Sequence, residues 1–380
     1  MSAFAEERHF DIERVSPIWL ITGLCVVPFT VYYLLNFLSP LVHRLTAMKI
    51  SAIYIYPIKS LRAVSVSEAL ATKHGFQHDR RFMLLQKTQD GYKNMAIGRY
   101  PEMSQFLQEI GQDSVTVTYR AFGATEKSKT ITIPLEPDTE KLEPFEVNMH
   151  SSPTSAFKMP EKYNTWFSEC FGYHVELVYL GENRRAVLFQ NMQPLEPDPL
   201  TRFIKKHVPF AGSYVDKIMG LHQNEQWKIG FADCAPYLIC SQTSLDDVSS
   251  RLPEGEEMDM TKFRPNIVIK GAFEAYQEDY WGKLTINSGA ELTLAHNCVR
   301  CKSINIDYET GKDGTGASGQ VLKKLQHDRR IDIGAKWSPV FGRYSFWDPK
   351  RPSQTIKVGD RVNVSKVNEG LTVWSWPNLA

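Results

Sequence analysis

The chain opens with an apolar block and then changes period. Residues 15–42 contain no Asp, Glu, Lys, Arg or His, and their core, "IWLITGLCVVPFTVYYLLNFL", fills 21 positions from 18 to 38. About 20 apolar residues cross a bilayer's hydrocarbon as a helix, so a single membrane span over residues 18–38 is expected. Trp19 and Tyr32–Tyr33 suit the two interfaces loosely, and Pro28 adds a kink that membrane helices tolerate. The first 14 residues carry Glu6, Glu7, Asp11 and Glu13 against Arg8 and Arg14. With an acidic start, a long run and no A-x-A after it, the block reads as a retained anchor rather than a cleaved signal peptide. Arg44 and Lys49 follow the span and orient the large C-terminal part toward the cytosol.

After Met48 the apolar positions recur at the period of strands. "KISAIYIYPIKS" and "VSVSEALATKHG" read as strands, the second leading to a turn at Gly75. "DRRFMLLQKTQDGYKNMAI" reads as a hairpin through Gln89-Asp90-Gly91, and "SVTVTYRAF" and "KTITIPLEP" add two strands. Residues 134–153 are rich in Pro and Glu and read as a surface connection. "MPEKYNTWFSECFGYH" has helical spacing and ends at Gly172, and "VELVYLG" returns to a strand. Residues 182–226 are polar and broken by Pro, a long connection with room for one helix.

From Gly230 the strand pattern resumes. "APYLICS" is an apolar strand, and "SQTSLDDVSSRL" starts a helix with Thr243 or Ser244 as its cap and Asp246 and Asp247 in its first turn. "PNIVIKG", "KLTIN" and "ELTLAHN" are strands, and "TIKVGDRVNVSKV" reads as a hairpin through Val358-Gly359-Asp360. The predicted fold class is therefore mainly β with some helices (α+β): a transmembrane helix, then two β-barrel-like modules. The predicted boundaries are 1–46 for tail and anchor, 48–185 for the first module and 205–370 for the second.

Composition narrows the function classes. The 380 residues suffice for two modest domains with real cores. A formal net charge of +1 argues against a nucleic-acid binder that works by bulk electrostatics. Six cysteines, at 25, 170, 234, 240, 298 and 301, are too few for a disulfide scaffold, so thiols in a reducing compartment are expected. No Walker loop or internal repeat is present.

Chemistry concentrates around "AHNCVRCKSINIDYETGK". Cys298 and Cys301 stand three apart with Arg300 and Lys302 beside them. A structural zinc site needs four ligands, and only His296 is near in sequence. A thioredoxin-like pair belongs at a helix N-terminus, whereas "KSINIDYETG" reads as strand then turn. Two inert loop thiols is the plain alternative. The cationic neighbours favour a thiolate at Cys301, a soft ligand that could complete the coordination of a metal already held by a cofactor. Strand ends elsewhere present Lys59 and Ser60 in "YPIKS", Arg80 and Arg81 in "HDRR", and Arg264 and Asn266 in "KFRPNIVI". A lone Lys or Arg at a strand end is usually just solvated. Together these residues offer the charge, forked donors and amide groups that a phosphate-bearing heterocyclic cofactor requires.

"IYPIKSLRAVSVSEALATKHGFQHDRRFMLL" resembles the N-terminal β-barrel that accompanies MOSC domains. "FADCAPYLICSQTSLDDVSSRL", "KFRPNIVIKGAFEAYQEDYWGKLTI", "CVRCKSINIDYETG" and "VFGRYSF…IKVGDRV" resemble the MOSC domain itself, in order. With the anchor added, the chain resembles the amidoxime-reducing branch of that family, molybdenum-cofactor enzymes of the mitochondrial outer membrane.

The resemblance implies Cys301 as the thiolate on molybdenum and as the catalytic residue. It implies Lys59, Ser60 and Arg80 at the pterin phosphate, and Arg264 and Asn266 on the cofactor. It also implies Ser241 at a strand–helix turn lining the pocket, Arg300 beside the ligand, and Cys298 as a bystander. The activity implied is reduction of small N-hydroxylated substrates, with cytochrome b5 and its reductase as electron donors. No internal haem, flavin or iron–sulfur motif and no pyridoxal-binding domain is found. The rival reading is a non-redox cofactor carrier or sulfur-transfer module. The mitochondrial outer membrane is the expected location, the endoplasmic reticulum the alternative. Residues 182–226 and the run after Gly311 match the family only loosely.

Overall fold

The computed structural model describes residues 47–123, 128–190, 192, 227–287, 289–377 and 379, together with residues 30 and 32. The expected span over 18–38 lies outside the described residues, apart from those two. Among the described residues no helix is long and apolar enough to cross a membrane.

The centre of the molecule is one eight-stranded sheet. Its strands are β1 (Lys49–Ile55), β2 (Val64–Val66), β3 (Tyr237–Ser241), β4 (Ile267–Lys270), β5 (Trp281–Ile286), β6 (Ala290–Val299), β7 (Val340–Trp347) and β8 (Val362–Val367). They lie in the order β2-β1-β4-β3-β7-β6-β5-β8. The first strand thus pairs with one more than 200 positions away in sequence: Ile50 faces Ile269 and Ile53 faces Ile267, with β2 added at the edge against β1. β3 and β4 run parallel, joined by a crossover that includes the helix Gln242–Ser250. All eight residues of β7 are buried, so it reads "VFGRYSFW" with no polar alternation, as a strand covered on both faces must. Gly342 in β7 has φ +79, and a Cβ there would stand 2.6 Å from Cys240 Sγ and 2.8 Å from Ile239 O. Only glycine lets these strands approach so closely.

The remaining strands form smaller sheets. Pro144–Met149, Ser152–Lys158, Val175–Tyr179, Phe82–Thr88 and Gly91–Asn94 make a five-stranded antiparallel sheet in that order. Phe106–Ile110, Ser114–Tyr119 and Lys129–Pro134 make a three-stranded meander. The helices are few: α1 (Glu161–Phe171), α2 (Gln242–Ser250) and α3 (Val321–Gln326). α1 ends where expected, at left-handed Gly172 (φ +76), whose N–H donates to Ser168 O. Mainly β with few helices is the architecture observed.

Several local expectations need correction. Residues 144–158, read largely as a connection, form two paired strands, because Val147, Met149 and Ala156 pack into the core beneath them. α2 begins at Gln242 with Ser241 as N-cap. Thr243 and Ser244 are inside it, with hydroxyls donating to Ala272 O (3.0 Å) and to Glu278 (2.8 Å), so neither caps. The stretch through Val358-Gly359-Asp360 turns as expected, but its flanks do not pair with each other. Gln354–Lys357 joins Glu68–Thr72, and β8 joins β5. After Cys301 the chain makes a 3-10 turn, Lys302–Asn305, before a two-residue strand. Of the connection 182–226, the described part includes Arg185–Ala186, paired with Lys228–Ile229.

Candidate functional site

The antiparallel pairing of β1 with β4 sets the site, because it brings the turn after β1 against the turn before β4. Tyr54 N donates to Asn266 O at 2.9 Å, locking the two together. The chain leaves β1 through Tyr56 and turns at Ser60, whose φ of +69 is left-handed. Arg80 (φ +50) and Arg264 (φ +58) adopt the same rare conformation. Non-glycine residues hold such angles only where the surroundings over-determine them, and they gather at functional sites.

Tyr56 is the hub. The Arg80 guanidinium lies 4.5 Å from its ring centroid and that of Arg264 lies 4.3 Å from it. Its hydroxyl donates to Pro265 O at 3.2 Å. Its N–H and the Arg80 Nη1 donate to the two oxygens of Asp79, at 2.8 and 2.5 Å. Arg80 also reaches Asn266 Oδ1 (3.1 Å) and Arg264 O (3.2 Å). Burial raises the Tyr56 phenol well above its ordinary range, although both guanidiniums oppose this. Arg264 Nη1 donates to Leu61 O at 2.9 Å, while its Nη2 is buried with no hydrogen-bond partner. Beside it, Tyr308 carries the Arg62 guanidinium 4.3 Å from its centroid.

Lys59 is buried and its ammonium pairs with Asp233. His150 Nε2 lies 3.2 Å from the same carboxylate oxygen. Beneath, fully buried Arg185 donates to the carbonyls of Met149, Gly230, Ala232 and Asp233, fixing the loop that carries Asp233. Desolvation lowers the Lys59 pKa against the pull of Asp233. Desolvation would raise the Asp233 carboxyl, but Lys59 and His150 hold it well below the usual carboxylate range.

β6 ends in the cysteine pair. Cys298 is buried in the core, and desolvation pushes its thiol up against the Arg300 charge. Cys301 is the exposed one of the five described cysteines, all of them free thiols, and its Sγ lies 3.2 Å from Ser303 Oγ. Among the described residues no three His, Cys, Asp or Glu side chains converge as a metal-binding group.

Residues 47–174 match the family model "MOSC N-terminal beta barrel domain", and residues 226–363 match "MOSC domain". The chain belongs to the MOSC-domain proteins. It is 28% identical over 322 residues to "Mitochondrial amidoxime-reducing component 1" of Homo sapiens, covering 82% of each chain. It is 28% identical over 303 residues to "Mitochondrial amidoxime reducing component 2" of Macaca fascicularis, covering 78% of each. It is 26% identical over 326 residues to "Molybdenum cofactor sulfurase" of Arabidopsis thaliana, covering 83% of this chain and 35% of that one.

Within the MOSC protein the sequence-predicted residues divide by placement. Arg80 from the barrel segment and Arg264 and Asn266 from the MOSC segment come together around Tyr56, while Lys59 and Ser60 lie in the turn that follows it, with Lys59 held by Asp233. Asn266 spends its amide inside the fold: Oδ1 accepts from Arg80 and Leu238 N, and Nδ2 donates to Tyr54 O. Arg300 does not accompany Cys301 to the surface. Its guanidinium turns inward and donates to Phe341 O twice (2.9 and 2.6 Å) and to Phe263 O (2.8 Å), which clamps the strand end one residue from Arg264. Ser241 is fully buried at the N-cap of α2, its hydroxyl without a partner.

Sequence reasoning missed Asp79, Asp233, His150 and Tyr56. Asp79 and Asp233 stood inside the motifs "HDRR" and "FADCAPY", and a buried cation needs a buried partner, so a search for carboxylates near the basic residues would have found them. His150 lay in a segment read as connection and gave no signal.

The donor set fits a phosphate-bearing molybdenum cofactor. The cluster holds more cation than carboxylate, leaves Arg264 Nη2 without a protein partner, and belongs to a chain that presents one soft thiol at the surface of its described residues.

Proposed function

We propose that the chain is a molybdenum-cofactor oxidoreductase that reduces N-hydroxylated compounds, such as amidoximes and hydroxylamines, to their N–H forms. The observation that carries this reading is the surplus of buried positive charge around Tyr56, built on three left-handed residues, in a domain whose exposed thiol is Cys301. Bound there, the cofactor supplies two-electron oxygen-atom chemistry. Lys59, Ser60 and Arg80 hold its phosphate, Arg264 offers its free Nη2, and Cys301 gives a thiolate to the metal. Asp233 and His150 orient Lys59 and balance its charge, while Asn266 and Arg300 fix the two turns that aim these groups. Small substrates approach the thiol side.

Electrons come from cytochrome b5 and its reductase, the donors that the family resemblance implies. The same reading divides the chain into anchor (1–46, span 18–38), barrel module (48–185) and MOSC module (205–370). The catalytic part then faces the cytosol, on the mitochondrial outer membrane or, second, the endoplasmic reticulum. A shared membrane surface would raise the donors' effective concentration.

The sulfurase match supports a second reading, a non-redox carrier or sulfur-transfer module in which Cys301 bears a persulfide. One experiment separates them. The chain is produced in a host that makes molybdenum cofactor, with and without Cys301→Ala. Molybdenum is quantified by mass spectrometry, and amidoxime reduction is assayed with cytochrome b5 and its reductase. The reductase reading expects about one molybdenum per chain, lost together with turnover in the variant while the thermal midpoint stays put. Equal molybdenum in both proteins with no turnover supports the carrier, and full activity in Cys301→Ala refutes the site.

A further inference from the structure

A second basic concavity lies among the Gly75 turn, residues 181–184 and residues 349–353, a cavity of about 430 Å³. Its cationic wall is Lys73, Arg81, Arg184 and Arg351, with the His74 imidazole beside them. Asp79 is the one carboxylate lining it, and both Asp79 oxygens are already taken by Tyr56 N–H and Arg80. Arg351 is neutralised by Glu291 at 2.6 Å. The other cations are not so matched. Arg81 Nη2 and Arg184 Nη1 share the carbonyl of Gly181, and their further acceptors, Tyr179 Oη for Arg81 and Asn183 O for Arg184, are neutral as well. The nearest carboxylate to Arg81 is Glu182 at 3.4 Å, nearly fully exposed, and Arg81 Nε is buried with no partner. Burial, and then the Arg81 charge, lowers the Arg184 pKa. Burial lowers His74, and the charges of Arg184 and Lys73 add to it. Two guanidiniums forced together on one carbonyl repel each other, and a dianion between them would relieve both.

We propose that this cavity is a binding site for a phosphate monoester. Forked guanidiniums match phosphate oxygens two at a time, and a monoester carries about −1.5 to −2 charges at neutral pH. Phe76, Pro349 and Pro352 form an apolar wall for the organic part, and the volume lies in the range of small-molecule sites. Asp79 is shared with the cofactor cluster, but the cations are not: Arg80 turns to Asn266, its neighbour Arg81 to Gly181.

The test is calorimetric titration of the full-length, molybdenum-loaded chain in detergent at physiological salt. The probes are glycerol 3-phosphate, short-chain phosphatidic acid below its micellar concentration, and sulfate. Saturable binding of a monoester is expected, about tenfold or more weaker in Arg184→Gln and about threefold weaker in Lys73→Gln, with molybdenum content unchanged. Glycerol 3-phosphate binding as tightly as phosphatidic acid identifies a soluble ligand. Much tighter phosphatidic acid identifies a lipid headgroup. Both support the site. Absence of saturable binding, sulfate binding as well as the monoesters, or loss of binding in Lys59→Gln but not in the two pocket variants overturns it. If Arg184→Gln fails to fold, exposed Lys73 decides the matter alone.

Discussion

Two clusters of buried charge lie in this protein, and they are built on opposite principles. Around Tyr56 the cations Lys59, Arg80 and Arg264 meet two carboxylates, Asp79 and a half-exposed Asp233. Behind α2, Arg329 and Arg343 meet three: Glu278, Asp279 and Asp332. There Arg329 pairs with Asp279 at 2.6 Å and covers the Tyr276 ring at 3.7 Å. Arg343 donates to Asn297, Thr372 and the carbonyls of Asp279, Trp281 and Leu294. The second cluster consumes its cations in holding β5, β6 and β7 together. The first holds a surplus, on a strained backbone. A buried charge that the fold does not balance is one that a ligand can balance, and this difference distinguishes a structural cluster from a binding one.

The sharpest way to break this comparison is to remove a cation from the second cluster, where carboxylates outnumber cations. Arg329→Met leaves Asp279 buried and unpaired, and should cost roughly 3–5 kcal/mol of stability in urea unfolding at constant m-value. A loss below about 1 kcal/mol would mean that cluster does not hold the fold.

The same cluster should reveal itself by pH. Burial pushes the Glu278 carboxyl up to about 7 from an ordinary 4.5. The folded chain then binds a proton that the unfolded chain lacks between those values. Its contribution is fully present below about 4.5 and is lost as pH rises through 7, about 3 kcal/mol by linkage. Wild type should therefore lose ~2–3 kcal/mol more than Glu278→Gln between pH 5 and pH 8. A pH-independent difference between the two proteins would show that Glu278 titrates normally. Asp233, held low by Lys59 and His150, carries the opposite sign: its contribution fades as pH falls through its depressed pKa.

How much of this was legible beforehand follows from the same physics. Cations at strand ends are visible in sequence because Lys59, Arg80 and Arg264 interrupt apolar runs. Their partners are harder to see: Asp79 stands next to Arg80 in the chain and shows only to a search for carboxylates beside cations, and Asp233 meets Lys59 only once the chain has folded back across 174 positions. Turn chemistry at Gly359 was readable (φ +95), but not which strands it joins, because Gln354–Lys357 and β8 find partners far away in sequence. β7, buried on both faces, carries no in–out alternation to betray it. Arg300 looked like a companion of Cys301 by adjacency, yet in extended chain neighbouring side chains point to opposite faces.

In the surplus cluster the expected pattern reverses. Arg264→Gln should lower molybdenum retention about tenfold or more while changing apo-protein stability by less than about 1 kcal/mol, because it removes a cation that the protein alone does not neutralise. Strong destabilisation of the apo form would place this cluster in the same class as the other.

The smallest effect separates the two things Tyr56 does. Its hydroxyl bonds Pro265 O, and its ring carries two guanidiniums. Tyr56→Phe removes only the hydrogen bond and should cost about 1 kcal/mol, with molybdenum content unchanged. Tyr56→Leu removes the aromatic face as well, and with it the attraction that keeps Arg80 and Arg264 parked without a ligand. If the ring is the platform that preorganises the cluster, Leu lowers molybdenum retention and Phe does not. Equal retention in both would mean Asp79 and Asn266 alone hold Arg80, and that the stacking of two cations on one ring is a consequence of the site rather than its support.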